Sequence, residues 1–177
     1  MKQTVFTIKQ NRMIAEGIFL LTMSGDTSAI SAPGQFVNLK LDGYYLRRPI
    51  SVCDWNDGEL TLIYKVLGRG TEAMTEYLPG RQLDVLTGLG NGYDMKKSGG
   101  KPLLVGGGVG IPPLYGLAKR LIASGKQPTA ILGFNSSADM FFVKEFESLG
   151  VPVTVTSADG SIGRKGFVTD AMTDAAE

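Results

Sequence analysis

The distribution of hydrophobic and polar positions divides the chain into two parts with different periods. In the first part, short runs of branched and aromatic residues alternate with polar positions and are separated by Gly, Pro and Asn turns, which is typical of β-strands. Six short strands joined by turns predict a small antiparallel Greek-key β-barrel. The predicted strands are Val5–Ile8, Ile18–Met23, Phe36–Leu41, Leu46–Val52, Leu60–Val66 and Gln82–Leu86.

Two features of this part depart from a simple series of strands and turns. Pro49 has no backbone N–H, so the strand that contains it is expected at an edge of the sheet or with a bend. The stretch Thr71–Leu78, just after Gly70, has helical character and lies between the last two strands.

The second part changes to the alternation of strand and helix that is typical of a parallel sheet with right-handed crossovers. Helices are predicted from Pro112 to a stop at Gly125, along an apolar stripe that ends at Gly150, and over 166–175. Ser136 and Asp139 have the spacing of a capping box, with Asp in place of the usual Glu or Gln. The predicted strands are Leu103–Val105, Ala130–Gly133 and Val151–Thr156.

The predicted fold is therefore a six-stranded barrel domain over 1–97 and a Rossmann-like parallel α/β domain over 98–177, with a boundary in the Lys-, Ser- and Gly-rich stretch Lys96–Lys101. Three strands are fewer than the five or six of a complete nucleotide-binding sheet. A truncated protein is favoured, and a naturally small domain remains the alternative. An exposed apolar sheet edge is expected in this incomplete domain.

Composition excludes several classes of function. The net charge of +1 gives no broad field for nucleic acid or for a membrane surface. No apolar run approaches the roughly 20 residues that span a bilayer, and residues 1–30 do not resemble a signal peptide, so a cytoplasmic protein is expected.

The chain has no histidine and one cysteine, Cys53. This excludes His-based acid–base catalysis, a zinc site and an iron–sulfur cluster within these residues. Redox chemistry would therefore depend on a bound organic cofactor.

Three segments have the residue types of anion and cofactor sites. Gly106–Gly110 lies between a strand and a helix, where glycines let the backbone approach a pyrophosphate, or serve only as a tight packing turn. Arg48–Ser51 combines an arginine that matches phosphate with a hydroxyl that can contact a flavin nitrogen, or holds an ordinary surface arginine. Gly68–Thr71 opens a helix and offers backbone donors, unless Thr71 only caps that helix.

In combination, these and neighbouring motifs resemble the ferredoxin-reductase-type flavoproteins, and most closely the electron-transfer subunits of NAD-dependent (class B) dihydroorotate dehydrogenases. The resemblance covers essentially all of 1–170. The motifs that carry it are Arg48-Pro49-Ile50-Ser51, Ile63-Tyr64-Lys65, Gly70-Thr71, Leu89-Gly90-Asn91-Gly92, Gly106-Gly107-Gly108-Val109-Gly110-Ile111-Pro112-Pro113 and Asp159-Gly160-Ser161.

The resemblance implies FAD and NAD as cofactors and assigns roles by position. Arg48 would contact the FAD phosphate, and Ser51, the candidate catalytic residue, would lie near the flavin ring. Many relatives have an aromatic residue in place of Ile50, so ring stacking from that position is lost. The remaining assignments are Pro49 and Ile50 beside FAD; Ile63, Tyr64 and Lys65 on its ribityl and adenosine side; Gly70 and Thr71 at its pyrophosphate; and Gly107, Gly108, Val109 and Gly110 at the nicotinamide nucleotide.

Asp159 follows the third strand of the α/β part, near the place where this superfamily holds the adenosine ribose. A carboxylate accepts hydrogen bonds from ribose hydroxyls and repels a 2′-phosphate. Asn135 replaces an arginine that phosphate-binding relatives often carry. Both favour NAD over NADP, unless Asp159 only stabilises its Asp-Gly turn.

The resemblance also implies a partner and a place in metabolism. Electrons would pass from dihydroorotate through an FMN-containing catalytic subunit and a [2Fe-2S] cluster to FAD, and then as hydride to NAD⁺, in pyrimidine (UMP) biosynthesis. The two subunits would form a heterotetramer. The cysteine cluster and the Cys-Gly-Pro stretch of the family are missing here, so the [2Fe-2S] cluster is expected only in a full-length form. The alternatives are the flavin subunit of a hydrogenase-like or ferredoxin-dependent NAD(P)H reductase, and a non-catalytic nucleotide-binding fragment.

Overall fold

The structure is a computed structural model that describes residues 1–174. It divides into two compact units, Met1–Tyr93 and a second unit that begins at Asp94.

The first unit is a closed barrel of six antiparallel strands in the order β1-β2-β5-β4-β3-β6, as the sequence pattern predicts. A short helix, α1 (Arg69–Thr75), connects β5 to β6. The strands are β1 (Lys2–Ala15), β2 (Ile18–Ser24), β3 (Phe36–Leu39), β4 (Arg48–Asn56), β5 (Glu59–Lys65) and β6 (Gln82–Leu89).

The barrel core forms because alternate residues of each strand point to the interior. On β5, for example, Leu60, Leu62 and Tyr64 are all buried in the same apolar cluster. Burial raises the pKa of the Tyr64 phenol to about 12. Its hydroxyl donates to the side-chain oxygen of Asn11 at 3.1 Å, which satisfies the polar group inside the core.

The pairing of β4 explains how the barrel tolerates Pro49. Residues Arg48–Ser51 pair with β3, but pairing with β5 begins only at Val52. Pro49 therefore lies on a local edge although β4 is inside a closed barrel, and the ladder then shifts register between Val52 and Asp54. The open edge leaves the backbone of Arg48–Ser51 accessible on one side.

The second unit is a parallel sheet in the order β10-β9-β8-β7 with helices between the strands. The sequence predicts three of these strands and misses the fourth, because two residues, Arg164–Lys165, carry no periodic signal. The elements are β7 (Leu103–Gly107), α2 (Pro112–Ala123), β8 (Thr129–Phe134), α3 (Val143–Ser148), β9 (Val153–Ser157), β10 (Arg164–Lys165) and α4 (Val168–Asp174).

The helix ends of this unit follow the sequence signals. Gly125, with φ of 80°, follows the end of α2 as predicted. Ser136 and Asp139 do form a capping box, but it caps the 3-10 turn Ser137–Asp139 rather than α3. The predicted helix over 166–175 is α4, and residue 175 lies outside the described residues.

Strand β7 forms an edge of the parallel sheet, since it pairs only with β8. Leu103 on this strand is 41% exposed, whereas Leu104 is buried. Within residues 1–174, none of the helices combines the length and apolar character needed to cross a membrane.

Candidate functional site

Two consecutive arginines, Arg47 just before β4 and Arg48 as its first residue, have different surroundings. Arg47 is paired with both carboxylate oxygens of Asp84, at 3.1 and 3.0 Å, and also donates to the carbonyl oxygens of Asn38 and Asp84. Arg48 forms no ion pair with a carboxylate in the part of the chain that the structure describes. The guanidinium group of Arg47 is therefore bound to groups of the barrel, and that of Arg48 is available to bind an anion.

The side chain of Arg48 is held over the beginning of α1. Its Nη1 donates to the carbonyl oxygen of Leu46 at 2.6 Å. Its guanidinium carbon lies 4.9 Å from the centre of the Tyr44 ring, in cation–π geometry. A Cβ on Gly70 would lie 2.6 Å from Nη2 and 2.7 Å from Cζ of Arg48, so only glycine leaves room for the guanidinium group.

Helix α1 covers Arg69–Thr75 rather than the predicted Thr71–Leu78. The difference arises because Thr71 is the third helical residue and not the cap. Its hydroxyl accepts from the N–H groups of Leu67 and Gly68, at 2.9 and 3.3 Å, and donates to the carbonyl oxygen of Gly68 at 3.1 Å. The hydroxyl hydrogen of Thr71 is thus used in capping, and the backbone N–H groups of the first turn remain as anion donors.

The four residues of the arginine motif divide between two faces of β4. Because side chains alternate along a strand, Arg48 and Ile50 share one face, and Pro49 and Ser51 share the other. Ile50 packs against the barrel core. Within residues 1–174 the Ser51 hydroxyl has no hydrogen-bond partner among the protein groups. Arg48 and Ser51 can therefore contact different parts of one extended ligand.

The three residues predicted along β5 have unequal access to a ligand. Tyr64 is 1% exposed and its ring stacks on Phe19, with 5.5 Å between the ring centres. Ile63 is also buried, and Lys65 is partly exposed. Of these three residues, only Lys65 has a side chain that can contact a ligand. Tyr64 can contact a ligand only through its backbone.

In the second unit, the glycines of the strand–helix turn are subject to different structural constraints. A Cβ on Gly106 would lie 2.6 Å from the side chain of Leu114, so this glycine serves the packing of α2 on β7. Gly108 has φ of 49°, which disfavours other residues. A Cβ on Gly110 would meet no atom within 4 Å, and Gly110 is exposed together with Gly107 and Val109. The packing alternative thus accounts for Gly106 but not for the exposed glycines.

The loops after β8 and β9 meet at the carboxyl end of the parallel sheet. The backbone N–H of Asp159 donates to the carbonyl oxygen of Asn135 at 3.1 Å. The N–H and hydroxyl of Ser161 donate to the Asp159 carboxylate at 2.9 and 2.7 Å and lower its pKa. The Ser161 hydroxyl also accepts from the N–H of Ser137 at 2.8 Å.

The sequence-predicted pair Asn135 and Asp159 is therefore brought together. The carboxylate does stabilise its own Asp-Gly turn, which was the alternative interpretation of Asp159, and it remains exposed and charged at neutral pH. The amide nitrogen of Asn135 is held by the Asp139 carboxylate at 3.0 Å. This hydrogen bond to Asp139 fixes the orientation of the Asn135 side chain.

The sequence did not indicate a role for Tyr44 or the contact of Ser161 with a second loop. No motif includes Tyr44, and its only signal is its position four residues before Arg48. Ser161 was part of a recognised motif, but its contact with Ser137 joins two loops that are far apart in the chain.

A closed antiparallel barrel followed by a Rossmann-like parallel sheet is the architecture of the ferredoxin-reductase-type flavoproteins. Curated relatives identify the family within this class. The chain is 44% identical to the dihydroorotate dehydrogenase B (NAD(+)) electron transfer subunit of Geobacillus sp. (strain WCH70), over 97% of this chain and 70% of the relative. It is 41% identical to the subunit of the same name from Bacillus pumilus (strain SAFR-032), over 97% of this chain and 69% of the relative.

The chain belongs to the family of dihydroorotate dehydrogenase B (NAD(+)) electron transfer subunits. It is thus an oxidoreductase component with an electron-transfer function in pyrimidine biosynthesis, and the family predicted from the sequence is confirmed. No family model matches the chain.

Solved structures agree with this class. A structure of NADH-dependent reduced ferredoxin–NADP oxidoreductase matches with a TM-score of 0.87 and 35% identity, over 97% of this chain and 63% of that chain. The ferredoxin reductase in carbazole 1,9a-dioxygenase matches with a TM-score of 0.86 and 19% identity, over 98% of this chain and 57% of that chain. The second likeness shows the fold alone, and it confirms the barrel followed by the parallel sheet.

Proposed function

We propose that the barrel unit binds FAD and the α/β unit binds NAD, so that the chain forms the flavin–nicotinamide part of an electron path. The observation that carries the proposal is the position of Arg48, whose guanidinium group is ordered over Gly70 and has no carboxylate partner within residues 1–174. A cation held beside the free N–H groups of a helix start is suited to a diphosphate.

The residues of the barrel unit fit the parts of FAD. Arg48 would contact the diphosphate by paired hydrogen bonds, together with the backbone N–H groups of Gly70 and Thr71. Ser51 would place its hydroxyl near the reactive nitrogen of the flavin ring, with Pro49 and Ile50 beside the ring. Ile63, Tyr64 and Lys65 would lie along the ribityl and adenosine side, with Tyr64 contributing through its backbone.

When bound, FAD supplies the two-electron chemistry that the protein side chains lack. The contribution of this chain is to bind, orient and exclude water. The absence of histidine from the sequence agrees with this division of roles, because hydride transfer needs no general base.

In the α/β unit, Gly107, Gly108, Val109 and Gly110 would face the nicotinamide nucleotide. The exposed positions of Gly107 and Gly110 support this proposal, since the backbone there is open to a ligand. Asp159, charged and held by Ser161, would accept from the adenosine ribose and repel a 2′-phosphate. NAD would therefore be preferred to NADP.

The partner would be an FMN-containing dihydroorotate dehydrogenase catalytic subunit, assembled with this subunit as a cytoplasmic heterotetramer. The name of the family supports a catalytic partner. A [2Fe-2S] cluster between the two flavins would require a longer form with additional cysteines, because Cys53 is the one cysteine of this sequence.

A visible spectrum tests the proposal directly. The purified 177-residue chain, incubated with FAD and passed through a desalting column, is expected to show flavin absorbance in stoichiometric amount and to transfer electrons from NADH to an artificial acceptor. A colourless protein after this treatment would contradict the assignment of FAD to the barrel unit. Oxidation of dihydroorotate after addition of a catalytic subunit tests the partner.

A further inference from the structure

We infer that Tyr44 is a positioning residue that holds the guanidinium group of Arg48 in the orientation needed for the diphosphate of FAD; this rests on the function proposed above. Tyr44 lies in the loop between β3 and β4 and belongs to none of the sequence motifs.

The ring of Tyr44 supports the guanidinium group from one side. The guanidinium carbon of Arg48 is 4.9 Å from the ring centre, and the ring itself packs against the barrel core. The backbone N–H of Tyr44 donates to the carbonyl oxygen of Leu41 at 3.2 Å, which fixes the loop at this point. The support under Arg48 is therefore part of the barrel and does not depend on a bound ligand.

The hydroxyl of Tyr44 connects this support to α1. It donates to the backbone carbonyl oxygen of Arg69, the first residue of α1, at 2.8 Å. Gly70, which receives the guanidinium group, is the next residue. One side chain thus fixes both the arginine and the helix start that would together contact the diphosphate.

The guanidinium group is consequently confined on three sides without a neutralising carboxylate. The Tyr44 ring, the Leu46 carbonyl oxygen and the Cα of Gly70 restrict it, while its charge remains unpaired with any acidic group of residues 1–174. An arginine that is already ordered loses less side-chain entropy when it binds an anion. Tyr44 would therefore increase FAD affinity without touching FAD.

The adjacent residue offers a matched control. Tyr45 is fully exposed, whereas Tyr44 is partly buried and makes both contacts described above. Replacement of either tyrosine removes the same chemical group from the same loop, but only Tyr44→Leu removes the support under Arg48.

The test is a double-mutant cycle in the 177-residue chain, with FAD affinity measured by quenching of flavin fluorescence. Tyr44→Leu is expected to weaken FAD binding about tenfold, the effect of losing a cation–π support and its ordering. Tyr44→Phe keeps the ring and should lose about threefold, equivalent to one modest hydrogen bond. Tyr45→Leu should leave the affinity unchanged. In an Arg48→Lys background, Tyr44→Leu should weaken binding by less than about twofold, because the planar group it supports is gone.

Thermal unfolding of each ligand-free variant accompanies the cycle. Equal weakening by Tyr44→Leu in both backgrounds, or equal effects of the Tyr44 and Tyr45 replacements, would overturn the inference while leaving FAD binding intact. Failure of the wild-type chain to bind FAD would instead overturn the proposed function and this inference with it.

Discussion

The guanidinium group of Arg48 lies in the space that the Cβ of any other residue at Gly70 would need: Nη2 and Cζ are 2.6 and 2.7 Å from that position. Glycine is required here by an approaching side chain and not by its own backbone, since Gly70 is absent from the residues with positive φ. This relationship connects β4 with α1, which are separate motifs in the sequence.

Gly70→Ala is expected to leave the barrel folded and to weaken FAD binding about tenfold, or about 1.4 kcal/mol. The backbone accepts alanine, and the clash is with the movable end of Arg48, so the arginine shifts away from its position over α1. Equilibrium titration with FAD and a thermal melt of the ligand-free protein check both parts. Gly99→Ala, where a Cβ meets open space, is the control and should change neither quantity.

Arg47, just before β4, and Arg48, its first residue, are expected to respond differently to replacement. Arg48→Ala should raise the FAD dissociation constant by about 10- to 100-fold, since a charge-assisted hydrogen bond contributes about 1.5–3 kcal/mol. Arg47→Ala should instead lower the melting temperature, because it leaves the partly buried Asp84 carboxylate without its ion-pair partner, at a cost of about 1–3 kcal/mol. A larger loss of stability in Arg48→Ala than in Arg47→Ala would contradict this division.

Asp159→Asn is expected to reduce the preference for NADH over NADPH, because the charge that repels a 2′-phosphate is removed. The ratio of the two dissociation constants is the measurement. Glu147→Gln removes one charge from an exposed position of the same unit and should leave the ratio unchanged. An unchanged ratio in Asp159→Asn would show that the carboxylate only stabilises its turn.

The pKa of Asp159 gives a second test of the same loop. Hydrogen bonds from the backbone N–H and hydroxyl of Ser161 lower this pKa below its ordinary value, so the carboxylate stays charged as the pH falls towards that value. Ser161→Ala removes the hydroxyl contribution and should raise the pKa of Asp159, as measured by NMR titration. A pKa that falls or does not move would contradict the contact.

The buried phenol of Tyr64 makes the barrel sensitive to alkaline pH. Burial raises its pKa from 10.0 to about 12 in the folded protein, so the folded state holds the proton more tightly than the unfolded chain. The resulting stabilisation is complete below pH 10 and is lost as the pH rises towards 12.

Tyr64→Phe leaves the side-chain oxygen of Asn11 without its donor and should cost about 1 kcal/mol at neutral pH. The variant has no phenol at this position, so it does not share the loss of stability that the wild type undergoes at alkaline pH. The difference in melting temperature between wild type and variant should therefore shrink as the pH rises above 10. The pKa of Tyr77 is also raised by burial, but Tyr77 is present in both proteins, so its ionisation does not contribute to the difference between them. A difference that stays constant over this range would contradict the assignment.

Local patterns in the sequence were sufficient for the order of most elements. Strands of period two, the helix signals at Pro112 and Gly125, and the capping box at Ser136 depend on neighbouring residues, so they can be predicted from the sequence. The two-residue strand Arg164–Lys165 could not, because it exists only through its pairing with β9.

Contacts between distant segments were decided by the tertiary structure alone. The sequence singles out Arg48 through its motif, but only the fold pairs Arg47 with Asp84 and places Arg48 over Gly70. It likewise determines that Tyr64 is apolar enough for the core, but the barrel directs the side chain inward. The physical reason is that residue type and spacing fix local conformation, whereas the partner of each side chain depends on which strands and loops the closed barrel brings together.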